Sequence, residues 1–381
     1  MDFELNKEQK EIQKAARDFA RGEFDKELAL QLEEQHRYPT EIWKKACKEG
    51  FIGMHFPIRF GGSDYGCFEN ALVVEEFCRQ DSGIGAALMT AHFATENVLF
   101  FGIDEQKERY LIPVAEGDSL SAGAFTEPEH GSDITCMSTV AELHPKGWMI
   151  HGVKTFITNA GMADYYVVLC QTDPNAGHKG QSMFIVDSTC PGIQVSDVGA
   201  KMGLHMVTTG EVHFKNVVVP KEALLGKEGR GFYQVLQFFD HSRIEVAAQA
   251  VGTAQGAFDR ALRYVQGREQ FSKKIAQFQV TQHKLAEMAT KIELARLITY
   301  KAAKLADAGK VDPKITAMAK FSAARAAVEV ASESIQLLGG YGYMTEFEVE
   351  RFYRDARITE IYEGTSEIQK NVIAGSVLKG N

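Results

Sequence analysis

The sequence predicts an α+β protein built from three consecutive units. These are a helical N-terminal domain over residues 1–120, an antiparallel β domain over 121–230 and a C-terminal four-helix-bundle domain over 231–381. Two observations carry this reading. Apolar residues recur at three-to-four spacing in both outer thirds, and between them short β-branched and aromatic runs alternate with clusters of Gly, Pro, Asn and Asp. A chain of 381 residues is also long enough for several such units.

In the first unit, "KEQKEIQKAARDFARGEF" places Ile12, Ala15, Ala16 and Phe19 on one helical face. "NALVVEEFCRQ" and "EQKERYLIPVAEG" continue the helical pattern, and "HFPIRFGGSDYG" between them is a Pro/Gly-punctuated loop. The second unit contains "GWMIHGVKTFITNA", "DYYVVLCQT", "QSMFIVDS" and "GEVHFKNVVVP", runs whose composition favours strands. No helix alternates with them, so an antiparallel sheet is expected. The third unit opens near Gly231 with an Ala-rich helical run. Two further long helices follow, the last introduced by Asp312-Pro313, and their apolar faces call for a bundle completed by the final segment.

Composition narrows the function. A net charge of −9 argues against a nucleic-acid or anionic-membrane partner while leaving room for a local basic site. The six cysteines form no CxxC pair, which fits a reducing compartment and gives neither a disulfide framework nor a zinc site, so no metal is expected. The N-terminus "MDFELNKEQKEIQ" has no apolar or Arg-rich targeting character, and no run approaches the roughly 18 apolar residues of a membrane span. A cytoplasmic protein is expected.

Two segments hold residues suited to chemistry. "QLLGGYGYMTEFEVERFYRDARITEIYEGT" follows a helix with three glycines, which either cap it and turn the chain or let backbone approach a ligand. "SAGAFTEPEHGSDITCMS" bends at Pro128 and Gly131 where helices give way to strands, and reads equally as a self-capped turn. Gln336, Gly339, Gly340, Gly342, Tyr343, Glu346, Arg351 and Asp355 together, with Thr126, Glu127, Gly131, Ser132 and Asp133, resemble the acyl-CoA dehydrogenase family. The resemblance runs the full length of the chain. The sequence departs from the family pattern at Phe125, His130 and Cys136.

The resemblance implies the acyl-CoA dehydrogenase fold, an FAD cofactor and the removal of two hydrogens from Cα and Cβ of an acyl-CoA thioester. Glu363 in "YEGT" is the implied base, and Gly364 is expected to leave space for the thioester. A carboxylate in an apolar pocket has a pKa raised towards neutrality, as a carbon-acid base requires. Some relatives carry the base before an arginine on a C-terminal-domain helix. Here that stretch reads "FDHSRIE", where Ser242 precedes Arg243, and Glu245, two residues beyond, is expected to point elsewhere.

For FAD the resemblance implies Phe125, Thr126, Phe156 and Thr158, with Phe156 where relatives often have tryptophan, and also Thr365 and Glu367. Arg268, Phe271, Gln279, Gln336 and Gly340 match a segment that reaches the FAD of a neighbouring subunit, which implies a homotetramer; Ser272 stands where a glycine is usual. For the CoA thioester it implies Ser132, Asp240 and Arg243, while His205 either contacts CoA or is a partly buried histidine. The acyl pocket is expected against "DSGIGAALMTAHFATENV". No Lys or Arg lies between Arg79 and Lys107, which disfavours a dicarboxylic chain held by an arginine. Short, branched, cyclic (such as cyclohexanecarbonyl) and medium chains remain. Electrons are expected to pass to an electron-transfer flavoprotein. An enoyl-CoA reductase running the chemistry in reverse and a non-catalytic CoA- or flavin-binding relative stand as alternatives.

Overall fold

The computed structural model describes residues 4–380. Residues 1–3 and 381, which belong to the outer expected units, lie outside the described residues. Seven helices come first: α1 (Lys7–Glu23), α2 (Lys26–Glu34), α3 (Thr40–Lys48), α4 (Cys67–Gln80), α5 (Ser82–Met89), α6 (Thr95–Phe101) and α7 (Asp104–Glu116). At the start of α1, the Asn6 side chain accepts from the Gln9 N–H while the Gln9 side chain accepts from the Asn6 N–H, which satisfies two end groups reciprocally. The inward face of α1 is Ile12, Ala16, Phe19 and Ala20, and Ala15, expected there, is exposed. At 100° per residue Ala15 falls at the edge of a face centred between Ala16 and Phe19. Helix α5 is buried along its whole length. The stretch Ser82–Phe101 is apolar and helical enough to span a bilayer by length and composition, and 78% of it is buried inside the fold.

The middle of the chain forms one eight-stranded sheet from β1 (Ser121–Ala124), β2 (Val140–His144), β3 (Gly147–Thr158), β4 (Tyr165–Gln171), β5 (Gln181–Asp187), β6 (Ile193–Asp197), β7 (Thr209–Val219) and β8 (Leu224–Leu225). The strand order is β6-β7-β3-β2-β4-β5-β8, antiparallel throughout except for two places. Strand β1 joins β4 in parallel, and β2 touches β4 in parallel at Val140–Gln171. The expectation of a wholly antiparallel sheet needs this correction. The β2–β3 hairpin lies between β1 and β4 in sequence, so the chain returns to pair beside β1 in the same direction rather than through a tight turn.

The last third holds α8 (Gly231–Gly267), a two-residue-per-strand hairpin of β9 (Glu269–Gln270) and β10 (Lys273–Lys274), then α9 (Gln279–Asp307), α10 (Pro313–Leu338), α11 (Val349–Arg357) and α12 (Ser366–Leu378). Buried alanines such as Ala250, Ala254 and Ala257 on α8 and Ala323, Ala327 and Ala331 on α10 belong to one core and let these helices approach closely. Two residues of the C-terminal signature tie the units together. Arg351 on α11 donates to Asp81, the cap of α5, at 2.5 Å, while Asp355 accepts from Ser82 Oγ and from the Leu204 N–H, each at 2.6 Å. Both side chains are buried, so their work is to fix α11 against the N-terminal helices and the loop before β7.

Candidate active site

The end of α11 positions the first group of residues. After a turn at Ile358–Glu360 the chain reaches Glu363 with φ of 56° and Gly364 with φ of 90°. A non-glycine residue in this left-handed region is strained by ~1–2 kcal/mol, so the surroundings must hold it there. They do so through its carbonyls. Arg243 Nε donates to the Glu363 carbonyl at 2.9 Å, and Lys320 Nζ donates to the Gly364 carbonyl at 2.7 Å. Gln369 Nε2 bridges both, at 3.2 and 2.9 Å. The backbone N–H of Glu363 has no backbone partner among the described residues.

Gly364 has a different reason from the one expected. A Cβ there would lie 2.8 Å from Gln369 Nε2 and 3.3 Å from Arg243 Nη2, so the space beside it is filled by the groups that hold the turn. The positive φ and this close approach both call for glycine.

The Glu363 carboxylate accepts from Ser242 Oγ at 2.6 Å. Burial pushes its pKa up to about 7, while Ser242, Arg243 and Lys320 pull the other way and Glu245 adds to the rise. Beneath the turn, burial brings Lys320 down to about 7. Asp240 lies 3.7 Å from Arg243, and burial raises it to about 6. Glu363, Gly364, Asp240 and Arg243 therefore come together as the resemblance implied.

In the sequence Ser242 reads only as a position lacking an acid, and the motifs do not point to Lys320 or Gln369. A lysine within the alanine-rich buried stripe of α10 was the available signal for Lys320. Glu245 also needs a correction. It is three residues from Ser242 and so shares that face of α8, where its carboxylate accepts from Asn70 Nδ2 at 2.6 Å.

A second group sits at the edge of the sheet. The ladder between β3 and β7 slips between Lys154 and Ile157. At this bulge Phe156 has φ of 56° and its ring is 68% exposed, as expected where an extra residue re-aims a side chain. Thr158, half-buried, faces Thr209 in the ladder, and the Thr126 carbonyl accepts from the Thr155 N–H at 2.9 Å. Phe125 packs against Phe238 and Phe239 of α8 with centroids 5.7 and 6.0 Å apart, and Arg243 lies 5.2 Å over the Phe239 ring. This chain of contacts links the sheet edge to Glu363. An exposed aromatic ring held at positive φ, with Thr126 and Thr158 on the segments beside it, fits a flat heteroaromatic group that would cover it.

Ser132 is exposed on the loop between β1 and β2. Thr365 caps α12, accepting from the Ile368 N–H at 3.4 Å, and Glu367 is exposed in its first turn.

A third group is not brought to this site. Arg268 ends α8, 25 residues beyond Arg243, which is roughly 35–40 Å along a helix axis. Phe271, 89% exposed, and Ser272 form the tip of the β9–β10 hairpin with φ of 53° and 60°. Ser272 thus adopts the conformation in which a glycine would be unstrained. Gln279, Gln336 and Gly340 are likewise exposed. His205 has both ring nitrogens near partners, 3.0 Å from Glu33 Oε1 and 2.9 Å from the Lys201 carbonyl, and stacks on His36. Those contacts account for it as a partly buried structural histidine.

Known proteins resemble this chain over its whole length. The sequence profiles of the acyl-CoA dehydrogenase N-terminal, middle and C-terminal domains match residues 6–118, 122–217 and 229–378. The chain is 40% identical over 381 residues to a short-chain-specific acyl-CoA dehydrogenase of Clostridium acetobutylicum, covering 100% of each. It is 41% identical to the caffeyl-CoA reductase–Etf complex subunit CarC of Acetobacterium woodii, covering 98% of this chain and 99% of that one. The solved structure of butyryl-CoA dehydrogenase from Megasphaera elsdenii superposes with a TM-score of 0.96 at 38% identity, covering 99% of this chain and 100% of that one.

Proposed function

This chain belongs to the acyl-CoA dehydrogenase family, whose members are FAD-dependent oxidoreductases acting on acyl-CoA thioesters, and on that premise we propose that it removes hydrogen from Cα and Cβ of an acyl-CoA to give the enoyl-CoA. Glu363 takes the α-proton. Its carboxyl, pushed up to about 7 chiefly by burial, is ionised in a useful fraction near neutral pH and basic enough to accept from a carbon acid activated by its thioester. The carboxylate on a turn held by Arg243 and Lys320, accepting from Ser242, is the observation that carries the reading. The Glu363 N–H, without a backbone partner among the described residues, would donate to the thioester carbonyl, and donors of this kind contribute about 2.7–4 kcal/mol in oxyanion holes.

FAD, when bound, supplies the acceptor for the β-hydrogen as hydride, a capacity no side chain has. Phe125, Thr126, Phe156 and Thr158 would hold its ring portion. Asp240 and Arg243 would line the thioester's approach, with Ser132 further out along CoA. Arg268 lies too far along α8 to serve the same cofactor within one chain, which supports a homotetramer in which it, with Phe271, Gln279, Gln336 and Gly340, reaches a neighbour's FAD. We assign the protein to the cytoplasm, an electron-transfer flavoprotein as electron acceptor, and a short, branched, cyclic or medium acyl chain as substrate.

A second reading has its own support. An acid with pKa about 7 donates a proton as readily as it accepts one, and the Acetobacterium relative is named as a reductase. Enoyl-CoA reduction would use the same residues. The test is the visible spectrum of the purified protein, followed anaerobically as butyryl-, isovaleryl-, octanoyl-, cyclohexanecarbonyl- and glutaryl-CoA are added in turn. Rapid bleaching by one of them supports dehydrogenation. Bleaching by none, with fast reoxidation of the dithionite-reduced protein by an enoyl-CoA, assigns reduction instead, and no response in either direction rejects both.

A further inference from the structure

A second polar cluster lies one helical turn from the base. On α8, Ser242, Glu245 and Gln249 fall at i, i+3 and i+7 and share one stripe. Ser242 holds the Glu363 carboxylate and Gln249 accepts from the Tyr362 hydroxyl, so Glu245 sits between the two contacts that fix the YEG turn. Around Glu245 gather His55 from the loop after α3, His92 from the turn after α5 and Glu96 from α6. One nitrogen or oxygen of each of the four lies within 4.8 Å of the others. His92 Nε2 is 3.7 Å from Glu245 Oε1 and 3.8 Å from Glu96 Oε1, and His55 Nε2 is 3.2 Å from Glu96 Oε1.

These groups satisfy one another only in part: Glu245 also accepts from Asn70, and His55 and Glu96 approach as an ion pair. His92 is 2% and Glu96 5% exposed, yet both ring nitrogens of His55 and of His92, and Glu96 Oε1, make no hydrogen bond. Close approach without aligned geometry is not a hydrogen bond, and buried polar atoms left this way are costly unless a further group completes them. The chemistry of that group follows from the donors and acceptors present. Two carboxylates only accept when ionised, and the sequence offers no Lys or Arg between Arg79 and Lys107. An anion would be repelled, and a hydrogen-bond donor would be welcomed.

We propose that His55, His92, Glu96 and Glu245 form the distal subsite of the acyl chain, and that it selects chains ending in a hydrogen-bond donor, a hydroxyl or an ammonium group. The proposal rests on the acyl-CoA reading above and names its substrate class. The subsite accounts for the unpaired polar atoms beside a reaction that itself needs no polar group beyond the thioester. It also places a specificity element on the helix that positions the base.

The experiment is anaerobic stopped-flow reduction of the flavin in the intact holoenzyme by pentanoyl- and hexanoyl-CoA, by their ω-hydroxy and ω-amino counterparts, and by glutaryl-CoA. Either ω-hydroxy or ω-amino chains are expected to give at least ~10-fold higher second-order rate constants than the plain chain of equal length, because a site built for a donor rejects an analogue lacking one. The two series tell hydroxyl from ammonium. In Glu245→Gln, close in shape to the native residue, and in His92→Phe/Glu245→Val, the ratio is expected to fall towards one or invert. Equal or faster reduction by the plain chains in the wild type overturns the subsite while leaving the acyl-CoA reading intact. So does stoichiometric zinc in the isolated protein that His92→Phe removes, since the cluster would then be a metal centre. Failure of every acyl-CoA to reduce the flavin, and of enoyl-CoAs to reoxidise it, overturns the subsite together with the reading beneath it.

Discussion

Two glutamates, the buried Glu127 and the partly buried Glu363, show how the same side chain serves structure in one place and chemistry in another. Glu127 accepts from Lys154 Nζ at 2.8 Å and from the N–H groups of Ser138 and Thr139 at 2.6 and 2.9 Å. Burial raises its pKa, but the ammonium and these donors outweigh that and hold it below the usual carboxylate range. Burial pulls Lys154 down as well. A stabilised carboxylate at this distance nonetheless keeps the pair ionised. Glu363, partly buried, accepts from one hydroxyl donor among the described residues, with its cations spent on backbone carbonyls. Its pKa therefore rises. What separates the two is the number of donors aimed at the carboxylate itself.

The largest effect should come from removing each charge in turn. Glu363→Gln is expected to lower turnover at least ~10³-fold, towards the upper end of what a positioned acid-base group contributes, with the protein still yellow and still binding acyl-CoA. Single-turnover flavin reduction measures it. A loss under tenfold would move the base elsewhere.

Glu127→Gln should act on the fold instead. It strands a fully buried Lys154, and breaking one partner of a buried pair costs about 3–5 kcal/mol. Lys154 also donates to the Phe125 carbonyl at 3.1 Å, so the proposed flavin-contact segment loses a support. Urea unfolding should show the loss of stability, and fluorescence titration a weaker hold on FAD. Equal stability of the variant and the wild type would mean that the pair is not the fixed point described above.

The pH dependence of stability sharpens the contrast further. Glu363 rises from 4.5 to about 7 on folding. Between those values the unfolded chain has released the proton while the native protein keeps it, so stability falls as pH climbs through this window and levels off above 7. Glutamine stands in for the neutral acid and lacks this loss. Glu363→Gln should therefore match the wild type near pH 4.5 and exceed it by up to ~3 kcal/mol above pH 7, read as a thermal-unfolding gap that opens with pH. A gap independent of pH would assign the difference to packing.

This contrast also marks how far the sequence could be read. Helical and strand periodicities place the three units, because each buries a face whose spacing is visible in the chain. The motif residues Glu363, Arg243 and Asp240 converge as the family resemblance implied. What the pattern could not show depends on three-dimensional register. Ala15 misses the face of α1 by a fraction of a turn, β1 joins the sheet in parallel across an intervening hairpin, and Gly364 is demanded by Gln369 and Arg243 rather than by open space. Lys320 and the His55–His92–Glu96–Glu245 cluster are assembled from segments far apart in sequence, and each residue alone reads as an ordinary polar position.

The smallest predicted effect tests the donor count directly. Ser242→Ala removes the hydrogen bond seen to the Glu363 carboxylate among the described residues and leaves Arg243 and Lys320 on the backbone carbonyls that hold the turn. A hydrogen bond to a charged group contributes ~1.5–3 kcal/mol, part of which survives when the acid is neutral, so the differential is about one pKa unit. The lost bond favoured the ionised form, so the pKa of Glu363 rises further. The pH profile of flavin reduction, expected to climb through about 7 in the wild type, should move alkaline by ~1 unit, with the plateau rate at high pH changed far less. A profile that stays in place while the plateau collapses would show that Ser242 orients the substrate, and the comparison with Glu127 would then rest on burial rather than on donors.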